Sequence, residues 1–190
     1  STENSNITII NDSFTYGDLA TGDIVNNASS PFTFTINNDV QHGADINLLL
    51  TLTNESGYSS VGYVGLNIAG KNLYAYGVDV VGNNQDVLVS GQTSTVHIEL
   101  HNSGATSALN IVGQITSASP AIEILDNTGT WSAVYPGGFN SSASDGNSFT
   151  INALEDIIPG TIAHLILSVN TDDGYANSSI VPIQIGIPTV

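Results

Sequence analysis

The side chains able to do chemistry are few and rich in oxygen. The run from Asp79 to Asp86 reads Asp-Val-Val-Gly-Asn-Asn-Gln-Asp. Asp79, Asn83 and Asp86 together offer the carboxylate and amide oxygens that a hard cation such as calcium takes, about six to eight at a time. The competing reading is an Asx-rich turn, since Asp and Asn side chains bond their own backbone nearby. His97, Glu99 and His101 alternate along one stretch and share a face. At about 3.3 Å rise per residue, the two histidines stand roughly 13 Å apart. That is too far to close on one ion, so they read as an exposed polar face. Trp131, Tyr135 and Phe139 fall within nine residues and offer rings that could stack on a sugar. Six Asn-x-Ser/Thr triplets, at Asn6, Asn11, Asn27, Asn54, Asn140 and Asn177, are candidate N-glycosylation sites. A chain this rich in Asn, Ser and Thr also yields such triplets by chance.

Catalytic patterns are missing. There is no Gly-x-Ser-x-Gly elbow for a nucleophilic serine. With no cysteine, thiolate zinc sites, a cysteine nucleophile and a disulfide framework are all excluded. Nothing singles out a catalytic pair among the 17 acidic residues. The expectation is a protein that is not an enzyme. Lys71 is the single basic residue and the formal charge is −16. One cation cannot neutralise a row of phosphates, which excludes nucleic acid as a partner. No apolar run approaches the roughly 20 residues that span a bilayer as a helix. Charged residues make up 9% of the chain, against about 25% in ordinary soluble domains. Hydrophobic residues reach 41%, a globular value. Polarity supplied by Asn, Ser, Thr and Gly suits an extracellular or cell-surface β-protein. The first residue is Ser1 rather than methionine, as in a processed or excised chain.

These groups must be carried by strands, because period-two alternation dominates and no helical stripe stands out. In 46–53, Ile46, Leu48, Leu50 and Leu52 share one face. In 163–170, Ala163, Leu165, Leu167 and Val169 do the same. In 95–101, Val96, Ile98 and Leu100 point inward. Further strands are expected at 7–10, 32–36, 61–68, 73–81, 109–115, 122–125, 149–151 and 180–185. Asp145-Gly146 and Asp173-Gly174 are favoured hairpin pairs, and 153–158 allows one short helical turn. Short strands at this spacing predict an all-β sandwich.

The sequence also repeats itself. Ile7-Thr-Ile-Ile-Asn-Asp returns as Ile122-Glu-Ile-Leu-Asp-Asn at an offset of 115. At that offset Tyr16 meets Trp131, Leu19 meets Val134, Gly22 meets Gly137 and Phe34 meets Phe149. After a two-residue insertion, Gly43 meets Gly160, Leu48 meets Leu165, Tyr58 meets Tyr175 and Ile68 meets Ile185. The second copy has about 50 residues ahead of Ile122, whereas the first has six ahead of Ile7. Residues 1–70 are therefore expected to be a partial sandwich repeat, and 71–190 a complete one. Half a sandwich leaves an apolar face wet. It can be completed by a longer chain, by sharing a sheet, or by a strand donated from a neighbour. Sandwiches usually guard free strand edges with lysine, and this chain has almost none.

The run 89–111, VSGQTSTVHIELHNSGATSALNI, followed by the apolar stretch 115–124, resembles the Ig-like repeats of bacterial and archaeal cell-surface proteins. These are CARDB-like modules and the sandwich repeats that follow secreted C25-type peptidases. The likeness covers most of 80–186 and, through the repeat, 7–69. Gln92 stands where the family usually has Glu. The resemblance implies extracellular display, spacing, adhesion or assembly, and related modules sometimes hold calcium in a similar Asp/Asn loop. The expected function is a structural subunit of an extracellular filament or surface assembly joined by strand complementation. The alternative is a passive adhesion or spacer module of a larger secreted protein, binding calcium or carbohydrate. Expected partners are further copies of the chain or neighbouring surface-protein domains.

Overall fold

The computed structural model describes residues 1–37, 40–83 and 85–188. They fall into two compact units, Ser1–Ile68 and Ala69–Val190. Both are all-β.

The second unit is an immunoglobulin-like sandwich. Its strands are β5 (Leu73–Val80), β6 (Val87–Leu88), β7 (Thr93–Asn102), β8 (Ala108–Ser117), β9 (Ile122–Asp126), β10 (Thr128–Val134), β11 (Phe139–Ser141), β12 (Phe149–Ala153), β13 (Thr161–Asn170) and β14 (Ala176–Ile185). One sheet runs β10–β8–β13–β14–β6, with β6 parallel to β14. In the other, β7 has β5 on one side and both β11 and β12 on the other, with β9 beyond β12. Alternating residues of the two inner faces make the core, as sandwich packing requires. Val96, Ile98 and Leu100 of β7 and Leu165, Leu167 and Val169 of β13 are all buried in it. Polar bonds tie the faces together. Trp131 Nε1 donates to the Ile98 carbonyl at 3.0 Å. The Leu73 amide donates to the Tyr175 hydroxyl at 2.9 Å. Asn102, fully buried where β7 ends, is saturated. Its Oδ1 accepts from the Asn72 and Gly104 amides, and its Nδ2 donates to the Thr106 and Val134 carbonyls. The Asn-Ser-Gly of the family-like run is thus the corner that turns β7 into β8.

Two local expectations are corrected. Asp145-Gly146 does not close a hairpin. It ends a 3-10 turn, Ser142–Asp145, capped by Gly146 in the left-handed region at φ 73°. Residues 153–158 form no helical turn, and Asp156 bends the chain there at φ 59°.

The first unit contains β1 (Ile7–Asn11), β2 (Thr33–Ile36), β3 (Asp45–Thr53) and β4 (Ser59–Asn67). They form two antiparallel pairs, β1–β2 and β3–β4. Each pair has its counterpart in the second unit. The β3–β4 register, Asp45↔Asn67, maps onto Ile162↔Gln184 of β13–β14 with no slip. The β1–β2 pair corresponds to β9–β12, displaced by two residues, a shift that keeps each side chain on its own face. The turn glycines Gly43 and Gly57 share positive φ with Gly160 and Gly174.

What differs is burial. Along β13 the inward residues Ala163, Leu165, Leu167 and Val169 are all sealed. Along β3 the same face opens steadily, from Ile46 at 1% exposure to Leu52 at 46%. Tyr175 is 2% exposed, and its counterpart Tyr58 is 63% exposed. The buried core of the unit is Ile7, Val40, Ile46 and Ile68, with Phe34, Leu48 and Leu66 half-buried against it. Residues 13–19, the counterpart of β10, form no strand. β10 is held by pairing with β8, and the unit has no strand of that kind among its described residues.

Candidate functional site

On the outer face of the second unit, alternation turns Tyr74 and Tyr76 outward while Leu73 and Ala75 face the core. His101 of β7 lies across from Tyr74 on one side and from Phe139 of β11 on the other. This sets Tyr74, His101 and Phe139 in one rung of three strands. The centroid separations are 5.1 Å for Tyr74–His101 and 4.3 Å for His101–Phe139. Tyr76 sits at a bulge between Ala75 and Gly77 and meets Phe139 edge-on at 4.7 Å. Bulges re-aim side chains in this way. The Tyr74 hydroxyl and His101 Nδ1 are 2.7 Å apart and share a hydrogen bond. Tyr76 also lines a groove of about 410 Å³ with Val78, Val87, Val181 and Pro182. The result is a row of partly exposed rings beside a shallow groove of mixed lining, to which Gln85, Asp86 and Gln184 also contribute, a geometry able to stack a flat face against the rings.

The expected Trp131–Tyr135–Phe139 cluster is divided. Trp131 is a core residue, its ring against Phe149 at 6.1 Å, while Tyr135 and Phe139 are exposed. Phe139 joins partners more than thirty positions away in sequence. The outward positions of Tyr74, Tyr76 and His101 were readable from alternation, but their meeting depended on β5 and β11 flanking β7.

Each candidate cation ligand is hydrogen-bonded within the protein. The Asp79 carboxylate turns to His97, with Oδ2 3.1 Å from Nδ1. Asp86 Oδ1 accepts from the Val80 amide at 3.3 Å. Asn83 Oδ1 accepts from the Gln85 amide, and its Nδ2 donates to the Val87 carbonyl. Asn84, inside this run, lies outside the described residues. Asn83 and Asp86 thus bond the backbone of their own turn, as an Asx-rich turn does. Among the described residues no group of three or more His, Cys, Asp or Glu is placed to hold a metal ion. His97, Glu99 and His101 are half-buried rather than fully exposed, because Asp79, Tyr74 and Phe139 flank them.

No family model matches this chain, and no curated protein matches it. Among solved structures, native alpha-2-macroglobulin from Escherichia coli, spanning domain MG7 to the C-terminus, aligns with 63% of the chain. The identity is 11%, the TM-score 0.40, and the match covers 17% of that structure's chain.

The sequons differ in what holds their amides. Asn11, Asn140 and Asn177 use Nδ2, the atom a glycan would take, to bond Pro31, Ala133 and Leu73 carbonyls respectively. Asn54 sits exposed at the β3–β4 turn, where its Oδ1 accepts from the Tyr58 amide. Asn6 and Asn27 are half-buried. Shifted ionisation among the described residues falls on two neighbours at the β13–β14 turn. Hydrogen bonds from Lys71 and then Thr171 hold the Asp173 carboxyl below its ordinary value. Burial pushes the Tyr175 phenol up. Both groups are structural, one pairing the lone lysine and the other capping β5. No helix of the described residues is long and apolar enough to cross a membrane.

Proposed function

We propose that the chain is a non-catalytic structural module of an extracellular, multi-sandwich assembly, joined to its neighbours by β-strand completion of the first unit. The observation that carries this is the contrast along one repeated hairpin. The same register and the same apolar face are sealed in β13 and left open in β3. The edge that is open has no lysine guarding it. Backbone ladder bonds need no charged partner, which suits a chain with one cation. The Ig-like surface-repeat resemblance of 89–111 points the same way.

Sedimentation velocity across a wide concentration range tests the joining role. The full chain is expected to associate as concentration rises. Thr51→Pro, which removes one N–H from the free edge of β3, is expected to suppress that association. A full chain that stays monomeric throughout would overturn it.

The rail of Tyr74, Tyr76, His101 and Phe139 favours a second reading, in which the module also holds carbohydrate by ring stacking. Titration with neutral oligosaccharides, followed by tyrosine fluorescence and repeated on Tyr76→Ala, tests it. A response that Tyr76→Ala leaves unchanged counts against the rail.

A further inference from the structure

The first unit holds one hydrogen-bonded rung whose place in the repeat identifies what is missing. Ser1 and Leu49 exchange both backbone bonds. The Ser1 amino group donates to the Leu49 carbonyl at 2.9 Å, and the Leu49 amide donates to the Ser1 carbonyl at 2.8 Å. Under the offset of 117 that governs this half of the repeat, Leu49 corresponds to Ile166. Under the offset of 115 that governs the other half, Ser1 corresponds to residue 116. Ile166 and Thr116 are themselves partners in the β13–β8 ladder. Two offsets established on other residues therefore meet on one rung, and Ser1 lies where β8 lies.

We infer that the free edge of β3 is the seat of a strand of the β8 type, in the register that Ser1 begins. This rests on reading the first unit as an open copy of the second. Beyond Ile166↔Thr116 the ladder continues through Leu167↔Ile115, Ser168↔Gln114, Val169↔Gly113 and Asn170↔Val112. The corresponding places beside Leu50, Thr51, Leu52 and Thr53 are the ones that stand open. Leu49 sends its N–H and C=O outward, so by alternation Thr51 and Thr53 do too. The same incoming strand answers a second deficit. In the second unit β8 holds β10 on its other edge, with Trp131↔Ile111. Its copy would therefore lie beside 13–19 and give Tyr16 a strand partner. A third deficit sets the length required. Tyr175 receives the Leu73 amide of β5, and its counterpart Tyr58 stands exposed. The occupant that meets all three is a segment folding as residues 69–115 do.

The test is a chain with residues 69–115 duplicated directly ahead of Ser1, so that the duplicate's Ile115 meets Ser1 as Ile115 meets Thr116. Amide exchange at Thr51 and Thr53 is expected to slow by about a hundredfold, approaching Ser168 and Asn170. A version with one extra residue at the junction turns every inward side chain outward, and it is expected to give no such protection. A synthetic peptide of residues 108–115 added to the unaltered chain keeps the question open to refutation should the duplicated chain fail to fold. It should protect Thr51 and Thr53, and Thr51→Pro should abolish the effect. The inference is overturned if the duplicated chain folds with both amides still exchanging freely. It is also overturned if the one-residue insertion protects equally, or if neither duplicate nor peptide protects. These failures are separate from failure of the joining role, which is read from sedimentation of the unaltered chain. Protection by the duplicate in a chain that never associates would sustain the register and sink the joining role.

Discussion

Tyr175 and Tyr58 are one residue in two circumstances. The Tyr175 ring fills the sandwich and its hydroxyl accepts the Leu73 amide. Tyr175→Phe leaves that buried N–H without a partner, at a cost of about 1–3 kcal/mol. Tyr58→Phe removes a hydroxyl from an exposed ring and should change stability by less than about 0.5 kcal/mol. Trp131, the chain's one tryptophan, reports the second unit alone, so urea unfolding followed by its fluorescence should register the first change and miss the second. The same tyrosine sets an alkaline limit. Burial holds its phenol protonated above the ordinary value of 10.0, whereas the unfolded chain ionises there. Stability is complete below pH 10.0 and falls as pH climbs through the raised folded value. Tyr175→Phe should flatten that fall. Asp173 acts at the other end with the opposite sign. Bonds from Lys71 and Thr171 keep it ionised below 3.8, so its contribution is present above that pH and is lost as pH drops through the folded value. Other carboxylates titrate in the same range, so the informative quantity is the difference between the natural chain and Lys71→Gln, which should vanish once Asp173 is protonated.

The elements show what could be read in advance. Where a strand packs one face on the core and the next on solvent, alternation exposes it, and β7, β13 and β3 were plain. β10 was not. Its Gly129 and Ser132 resemble turn residues, yet Gly129 is there because the Phe149 ring lies against it. A Cβ at that position would fall 2.4 Å from the ring. Gly113 of β8 makes the same allowance for Trp131. A glycine demanded by a ring from another strand looks in one dimension like a glycine demanded by a turn. The two-residue β6 is too short to show alternation. The aromatic rail was hidden for a related reason, since its members come from three strands and pairing alone brings them together. The open face of β3 is the element-scale claim most easily measured. Leu52 and Val169 are counterparts in the repeat, one exposed and one buried. Val169→Asn puts an unpaired amide into a sealed core and should cost about 3 kcal/mol or more. Leu52→Asn should cost less than about 0.5 kcal/mol in the chain as it stands. Equal losses, read by amide exchange within each hairpin, would mean that β3 is covered after all.

At the scale of the whole molecule the controlling quantity is a charge of −16 against one lysine. Such a chain repels its own copies, and the repulsion reaches about 10 Å at 0.1 M salt and farther in dilute buffer. Strand pairing, in contrast, is short-ranged and indifferent to salt. Association through the β3 edge should therefore strengthen as ionic strength rises, the reverse of an assembly held by ion pairs. Sedimentation in graded sodium chloride distinguishes the two, and association that weakens with added salt would be incompatible with a strand-paired joint. Divalent cations sharpen the comparison. If calcium acts only by relieving self-repulsion, magnesium at equal concentration should raise thermal stability by the same amount, and Asp86→Asn should alter neither response. A calcium effect that magnesium does not reproduce, and that Asp86→Asn removes, would require the turn around Asn83 and Asp86 to release its backbone bonds and gather oxygens around an ion. The direction of the salt response thus separates a module built to be joined by backbone from one held by charge, and the calcium–magnesium difference decides whether the acidic turn is more than a turn.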